Sequence, residues 1–224
     1  MMTRRQILLA YKAAQSVQPV SGDVPPNNEI WYTTSDNQPI SFQYKSSGDY
    51  VEIGNKVISN TYANGKGVIV MTSDISVIRA GAFSATSSVI VAESCYRITS
   101  IVLPNSVTTI GEQAFCNCTY LASINMPSGL TSIAQAALSG CALSGDLVIP
   151  NGVTSIGGGA FSYNAGITSV TIQTTSAKVT GGTSMFGYGY AMQGGFTGNI
   201  RVPNALLSAY QADSNWNIYN LVGY

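Results

Sequence analysis

The chain has 224 residues, of which 10 are basic, 10 are acidic and none is histidine. The zero net charge argues against nucleic-acid binding, which needs a basic surface, and the missing histidine excludes Ser-His-Asp and Cys-His catalysis. Charged residues make up 9 % of the chain, against about 25 % or more on a typical soluble surface, so we expect a surface that is either only marginally soluble or packed against neighbouring molecules. No apolar run reaches the roughly 18 residues that a membrane helix needs, and we expect no membrane insertion.

Residues 1–19 are predicted to form an N-terminal arm or short amphipathic helix. We expect two basic and three apolar side chains of this arm to anchor the protein to a partner: Arg4, Arg5, Ile7, Leu8 and Tyr11. The pair of arginines superficially resembles a twin-arginine export signal, but Lys12 and Gln15 interrupt the apolar stretch that such a signal requires. The segment is therefore interpreted as an arm rather than as an export signal, and the alternative to docking is an arm that frays.

Residues 20–72 are predicted to form a β-rich N-terminal cap. Aromatic and β-branched residues indicate strands at 29–34, 40–44, 50–53 and 68–71. Asn64-Gly65 indicates a tight hairpin turn before the last of these strands.

Residues 73–197 contain a repeat of 23 residues. Prolines recur at this step at positions 104, 127 and 150, and isoleucines recur at 110, 133 and 156. An earlier unit around Ile78 lies 32 residues before Ile110, so it holds nine extra residues. A strict period of this kind is typical of stacked units that bury an apolar face on each other. The period fails after Ile172, where a glycine- and tyrosine-rich end begins, and Met185-Phe186 is interpreted as a degraded repeat position.

Strands are predicted at 98–103, 121–126, 145–149 and 167–172, stacked in one parallel sheet. Alternate residues of these strands should face the core: Ile101, Leu103, Ile124, Met126, Leu147, Ile149, Val170 and Ile172. The other residues should form two exposed columns, which we call the outer columns and predict to be the contact face. The first contains Ser100, Ser123, Asp146 and Ser169, and the second contains Val102, Asn125, Val148 and Thr171.

Residues 198–224 are predicted to form a C-terminal cap. It begins with a strand at 200–203, and Asn204 is predicted to be the N-cap of a helix over 205–212. Apolar side chains that follow should seal the open end of the stack: Leu206, Leu207, Tyr210, Trp216, Ile218 and Tyr219.

The pattern Pro-x-x-Val-Thr-x-Ile-Gly-x-x-Ala-Phe-x-x-Cys-x-x-Leu-x-x-Ile at 104–126 and 150–172 resembles the BspA-type (Treponema-type) leucine-rich repeat. The unit at 127–149 departs from it, with Leu138 in place of Phe. The resemblance implies a mainly β leucine-rich-repeat solenoid of ~23-residue repeats, with a parallel sheet, a β-rich N-terminal cap and a short helical C-terminal cap. The flanks at 28–36, 57–62 and 202–216 resemble segments in repeat proteins of gut Bacteroidales and their tailed phages.

Three of the four cysteines, Cys95, Cys118 and Cys141, share one repeat position, and Asn164 takes the same position in the next unit. Stacked strands would place them in a ladder, whereas a zinc site needs four ligands that converge on one point. We therefore expect a column of small buried side chains, with a disulfide or a metal site as less favoured alternatives. Cys116 lies off this column and should be the most exposed thiol.

An enzyme and a cofactor are both unexpected. The acids Glu93, Glu112 and Asp146 lie at different repeat positions, so paired-carboxylate chemistry is disfavoured. The glycines at 157–159 should allow tight stacking of repeats, since they lack the lysine of a phosphate loop. Aromatic residues near the C-terminal end could either bind a glycan or a subunit, or plug the irregular end: Tyr163, Tyr188, Tyr190 and Phe196. Tyr188 and Tyr190 are retained as candidate binding residues.

These patterns predict a non-enzymatic protein for protein–protein contact or surface adhesion. The favoured setting is a phage virion, as a head-fibre, decoration or tail adhesion protein assembled in the host cytoplasm. The expected partners are then other protein subunits, either in a homo-oligomer or as capsid and tail proteins, with a cell-surface glycan as a second class. The alternative is a Bacteroidales-encoded adhesin at the cell surface or secreted. We expect no cofactor.

Overall fold

A computed structural model describes residues 24–40, 57–84, 96–187 and 196–224. Fourteen strands and one short α-helix lie in these ranges. The strands are β1 Glu29–Thr34, β2 Val57–Ala63, β3 Lys66–Met71, β4 Val77–Ile78, β5 Ile98–Val102, β6 Thr109–Ile110, β7 Ser123–Ile124, β8 Ser132–Ile133, β9 Ser144–Ile149, β10 Ser155–Ile156, β11 Gly166–Ile172, β12 Thr180–Gly181, β13 Asn199–Val202 and β14 Asn220–Gly223. The helix, α1, spans Leu207–Gln211. The predicted arm and the predicted strand at 50–53 lie outside the described residues, as does all of 40–44 except Ile40.

The strands form a β-solenoid with three sheets. The N-terminal sheet has the order β2-β3-β1-β5-β7, and the C-terminal sheet has the order β9-β11-β13-β14. Together they form one wall of the solenoid, because β5, β7, β9 and β11 occupy the same repeat position. The opposite wall is the short-strand sheet, β4-β6-β8-β10-β12, whose five strands mark five turns. The predicted mainly β solenoid is therefore confirmed.

The 23-residue period aligns the short-strand sheet. Ile110, Ile133 and Ile156 pair in parallel register, and all three are buried. These two-residue strands were not predicted, because two residues are too few to show an alternating pattern. Ile156 then pairs with Gly181, 25 positions on, so the solenoid continues past Ile172 with two extra residues.

Stacked phenylalanines fill the turn between the two walls. Phe83 stacks on Phe115 at 5.0 Å between ring centroids, and Phe161 stacks on Phe186 at 5.4 Å. The interpretation of Met185-Phe186 as a repeat position is confirmed, since both side chains are buried. Leu138 is fully buried between the two aromatic pairs.

The wall formed by the N- and C-terminal sheets breaks between β7 and β9, which lie in different sheets. In the unit at 127–149, the buried Leu143 comes two residues after Cys141, whereas Leu121 comes three residues after Cys118. Gly145, at φ +78°, pairs with Ile167, Thr168 of β11 is left unpaired, and Asp146 returns to register with Ser169. The irregular turn therefore interrupts one wall while the short-strand sheet stays continuous.

This break also modifies the predicted core. Of the residues expected to face inward, five are buried: Ile101, Leu103, Ile149, Val170 and Ile172. Ile124, Met126 and Leu147, which flank the break, pack against the core but are only half-buried.

The N-terminal cap is part of the wall rather than a separate layer. β1 pairs antiparallel with both β3 and β5, as a bridge between the hairpin and the repeats. The predicted strand at 29–34 and the predicted Asn64-Gly65 turn are confirmed, with φ values of 51° and 77° at the two turn residues. Tyr32 lies flat on Gly67, where any side chain would collide with its ring.

The C-terminal cap seals the end of the stack through aromatic side chains. Trp216 is fully buried, and its Nε1 donates to the Val179 carbonyl at 3.1 Å. The Tyr210 hydroxyl accepts from the Val179 N–H at 2.9 Å. Ile218 does not seal the end, as it is 47 % exposed.

The predicted helix start in this cap is wrong. A 3-10 turn begins at Asn204, the residue before it is Pro203, and no side chain caps it. The α-helix begins only at Leu207. The Asn204 side chain instead lies beside Gly223, in the space that a side chain at position 223 would need.

Candidate interaction surface

The outer columns continue across the C-terminal sheet and are longer than predicted. Parallel register places one residue of each strand β9, β11, β13 and β14 in each column. The first column contains Asp146, Ser169, Asn199 and Asn220, and the second contains Val148, Thr171, Arg201 and Val222. Six of these eight side chains are exposed, and Ser169 and Thr171 are half-buried. This sheet therefore presents an ordered face to solvent.

The outer columns are not exposed at β5. Ser100 and Val102, predicted to be exposed, have only 9 % and 8 % of their surface accessible. That expectation is wrong because β1 lies beside β5, with Trp31 opposite Val102 and Thr33 opposite Ser100. The hydroxyls of Thr33 and Ser100 are 2.7 Å apart.

The column residues next to the break serve the fold. Ser123 and Asn125 are half-buried. The Asn125 Oδ1 accepts from the Leu103 N–H at 2.7 Å, and its Nδ2 donates to the Leu103 carbonyl at 2.9 Å. Both polar groups of Asn125 are thus used to extend the backbone ladder of the N-terminal sheet, so a partner would meet the columns mainly on the C-terminal sheet.

Asp146 is the one anion of the columns. Its Oδ1 accepts from the Ser169 hydroxyl at 2.6 Å and from the Thr168 hydroxyl at 3.1 Å. These hydrogen bonds hold the pKa of Asp146 below its usual range. The column cation is Arg201, whose guanidinium lies 5.8 Å from the centre of the Tyr224 ring. The face therefore carries one fixed anion and one cation among neutral side chains.

The predicted cysteine column has a shared hydrogen-bonding role. Side chains at the same repeat position donate to a carbonyl of the preceding unit: Cys118 to Phe83 at 3.0 Å, Cys141 to Phe115 at 3.2 Å, and Asn164 to Leu138 at 2.8 Å. All three are buried, which confirms the buried column for these positions, while Cys95 lies outside the described residues.

Two features bear on the chemistry of the described residues: the reactivity of Cys116 and the arrangement of potential metal ligands. Cys116 is half-buried, and burial raises its pKa, so it is not an activated thiolate. In the described part of the chain, no group of three potential ligands could hold a metal ion. No helix there is long and apolar enough to cross a membrane.

Comparison with protein families decides the identity of the repeats. Six copies of the model described as "BspA type Leucine rich repeat region" match residues 90–188. This segment is a BspA-type leucine-rich-repeat region. Proteins with such repeats generally mediate protein–protein interactions, and the fold is typically non-enzymatic.

Solved structures show likenesses to the BspA-type region and its flanks. The pneumococcal vaccine antigen PcpA is 15 % identical, with 74 % of this chain and 48 % of that chain covered, at a TM-score of 0.45. A leucine-rich repeat protein from Bacteroides ovatus is 21 % identical, with 73 % and 46 % covered, at 0.39. The T. pallidum leucine-rich repeat protein is 22 % identical, with 66 % and 85 % covered, at 0.36. The chain spans about half the length of the first two. A comparison with curated proteins finds no match.

The aromatic candidates near the C-terminal end of the BspA-type region differ in burial. Phe196 is buried and packs against Phe186 and Tyr219 at centroid distances of 5.7 and 6.3 Å, so it plugs the end of the solenoid. Tyr163 is 63 % exposed and adopts a left-handed backbone, with φ 60°. Tyr188 and Tyr190 lie outside the described residues, and so do the arm residues Arg4, Arg5, Ile7, Leu8 and Tyr11.

Glycines in the BspA-type turns serve close packing, as expected. A Cβ at Gly157 would lie 2.3 Å from the Gln135 nitrogen of the preceding unit, and one at Gly111 would lie 2.7 Å from the Ala80 nitrogen. These distances are well inside van der Waals contact, so neither Gly111 nor Gly157 could be replaced by a larger residue without a shift of the backbone.

Proposed function

We propose that this BspA-type protein is a non-enzymatic adhesion protein that binds its partner through the outer columns of the C-terminal sheet. One observation carries the proposal: four hydrogen-bonded strands hold two exposed columns of side chains in register. A face built on a continuous sheet is rigid, so binding costs little ordering of the protein.

The composition of this face favours a protein partner. Val148 and Val222 are 42 % and 39 % exposed and lie in the same column as Thr171 and Arg201. Apolar side chains next to neutral polar groups, with an arginine among them, are typical of protein–protein interfaces. A glycan is the second partner class, since the hydroxyl and amide groups of the first column can also bind sugars.

The face can be tested with labelled protein on intact cells of gut Bacteroidales strains. Val148→Arg combined with Thr171→Arg should weaken binding about tenfold or more, because two bulky charges interrupt one column. The control is Thr180→Arg, which places one such charge at an exposed position of β12, in the short-strand sheet of the opposite wall. Equal losses in both variants, or no binding by the unmodified protein to any strain, would contradict the proposal.

We further propose that the protein is a phage virion component. Two features support this setting: the charge-poor sequence, which favours packing against neighbouring subunits, and the resemblance of the flanking segments to repeat proteins of gut Bacteroidales and their tailed phages. Mass spectrometry of purified virions should detect the chain at a fixed ratio to the major capsid protein. Its absence from particles, with protease-accessible protein on bacterial cells, would favour the alternative of a host-encoded surface or secreted adhesin.

A further inference from the structure

The C-terminal sheet ends in an open edge at β14. The Tyr224 N–H donates to the Val202 carbonyl, and the Tyr224 carbonyl accepts from the Asn204 N–H, both at 3.1 Å. Tyr224 therefore directs both backbone groups toward β13. Backbone groups along a strand alternate in direction, so Val222 also faces β13, while Leu221 and Gly223 face away from it. In the described ranges, no loop or side chain hydrogen-bonds to the backbone of Leu221 or Gly223.

The other wall is closed at the same end of the solenoid. Beyond β12, the Asn215 Nδ2 donates to the Gly181 carbonyl at 2.9 Å, and Trp216 donates to Val179. The C-terminal cap thus covers the backbone edge of the short-strand sheet and leaves the edge of the C-terminal sheet uncovered. One cap therefore closes one of the two neighbouring sheets and not the other.

The features that usually protect an edge strand are missing from β14. Proteins commonly block such edges with charged residues, proline or a bulge. The sequence Asn-Leu-Val-Gly has no charge and no proline, and its register with β13 is unbroken. Exposed apolar side chains flank the edge, with Ile218, Val222 and Tyr224 at 47 %, 39 % and 46 % exposure.

Charge at this end of the molecule is also low. Residues 196–224 contain two charged side chains, Arg201 and Asp213, and Asp213 pairs with Lys178. The exposed residues of α1 and its C-terminal end are neutral: Ser208, Ala209, Gln211 and Ala212. Terminal units of repeat proteins normally need a polar outer face for solubility. Because this end carries so few charges, two copies of it can approach each other with little repulsion between like charges.

We propose that the β14 edge is a self-association site, where a second copy of this chain pairs antiparallel about a two-fold axis at Val222. In this register Val222 lies opposite the second copy's Val222, and Leu221 lies opposite the second copy's Gly223. The free backbone groups of Leu221 and Gly223 then exchange N–H···O bonds in both directions, as in a hydrogen-bonded antiparallel pair.

The same register keeps every side chain on its proper face. Val222 meets Val222 on the outer face, and Asn220 lies opposite the second copy's Tyr224 on that face. A shift of one residue would place the half-buried Leu221 against an outward residue. A shift of two residues would keep the faces but leave part of the strand unpaired, whereas this register pairs all of residues 220–224. Because the strand complements itself, the contact is isologous and closes as a dimer.

The two-fold axis gives a specific test by light scattering after size exclusion, across a micromolar concentration range. The unmodified full chain should form a dimer. Val222→Lys and Val222→Glu should each be monomeric, because like charges would face each other across the axis. An equimolar mixture of the two variants should restore a dimer, because each lysine would then face a glutamate.

A matched control is Val148→Lys, which changes the same column at the opposite edge of the sheet and should leave the dimer intact. Tryptophan fluorescence, which includes the buried Trp216, confirms that each variant is folded. A monomeric unmodified chain at all concentrations, a dimer that survives Val222→Lys, or folded Lys and Glu variants that fail to recombine would each overturn the proposal. A Val148→Lys protein that stays dimeric but binds cells more weakly would support the separation of this edge from the outer columns.

Discussion

A single residue position in each turn determines part of the strain of the solenoid. After each short strand the backbone adopts a left-handed conformation, with φ between 51° and 68° at Gly81, Gln113, Ala136, Gly159 and Ser184. Only glycine adopts this conformation without a steric penalty, which is about 1–2 kcal/mol for other residues. Two units satisfy the turn with glycine, and three bear the cost.

Replacement of Ala136 by glycine should therefore stabilise the protein. The relief of strain exceeds the extra entropy that glycine loses on folding, so we expect a gain of about 0.5–1 kcal/mol in the free energy of unfolding. Urea denaturation followed by circular dichroism measures the change. Gly159→Ala is the matched control and should lose about 1 kcal/mol of unfolding free energy. A Cβ there meets nothing closer than the Ser162 hydroxyl at 3.4 Å, so this loss reports the backbone strain and not a steric clash. A destabilised Ala136→Gly protein would show that the entropy lost by glycine outweighs the relief of backbone strain.

The sequence predicted which residues are buried well where the repeat is regular. Cys118, Cys141 and Asn164 could be assigned to one buried column from their spacing alone, although their carbonyl partners could not. Ser100 and Val102 occupy equivalent positions to exposed residues, yet they are covered because β1 joins the sheet beside them. That pairing is non-local, and no pattern within the repeats reports it.

At the scale of elements, the C-terminal cap is held to the last turn by an ion pair. The Lys178 ammonium bonds the carboxylate of Asp213, and the Asn215 N–H donates to the same carboxylate at 2.8 Å. The hydrogen bond from Lys178, followed by that from Asn215, lowers the pKa of Asp213 below its ordinary value of 3.8. Both charged side chains are partly covered, so salt should screen this pair less than a fully exposed one.

The pH dependence of the cap follows from this shift. Because the folded-state pKa is lowered, the pair stabilises the cap fully above the unfolded-state pKa, near 3.8, and the contribution is lost as pH falls through the lower folded value. At pH 7, Asp213→Asn should therefore have a lower melting temperature than the unmodified protein, and this difference in melting temperature should shrink below about pH 4. Thermal melts monitored by tryptophan fluorescence measure this difference. Lys178→Met should lose the same pH dependence, and a difference that persists unchanged in acid would contradict this account.

Element boundaries were harder to predict than element identities. The strand at 29–34 was predicted to the residue, because aromatic and β-branched residues are bounded by turn residues on both sides. β14 was not predicted, because it is short and lies outside the repeat, and its pairing with β13 depends on the cap that folds back between them. The helix start at Asn204 was misplaced because the preceding proline begins a 3-10 turn instead.

For the whole molecule, the 23-residue period means that each unit contacts its neighbours through equivalent surfaces. The unit at 127–149 is the exception, since it supplies Leu138 to the phenylalanine stack and the left-handed Gly145 beside the break. Its short strand, β8, nevertheless pairs in register with both neighbours. The stability of such proteins is approximately the sum of the stabilities of the units and of the interfaces between them, so this unit should be dispensable.

Excision of 127–149, which joins Met126 to Pro150, should give a folded, shorter solenoid. Ser123 would then lie beside Ser169 and Phe115 would stack on Phe161, so the sheet and the aromatic stack would both become continuous. Urea denaturation should show a single transition with a smaller m-value, because less surface is exposed on unfolding. Excision of 127–138 is the control and should prevent folding. Removal of half a unit would place the following strands of one wall where the strands of the other wall should lie. If both excised proteins aggregate, the irregular unit is needed for the fold, and the units are not interchangeable.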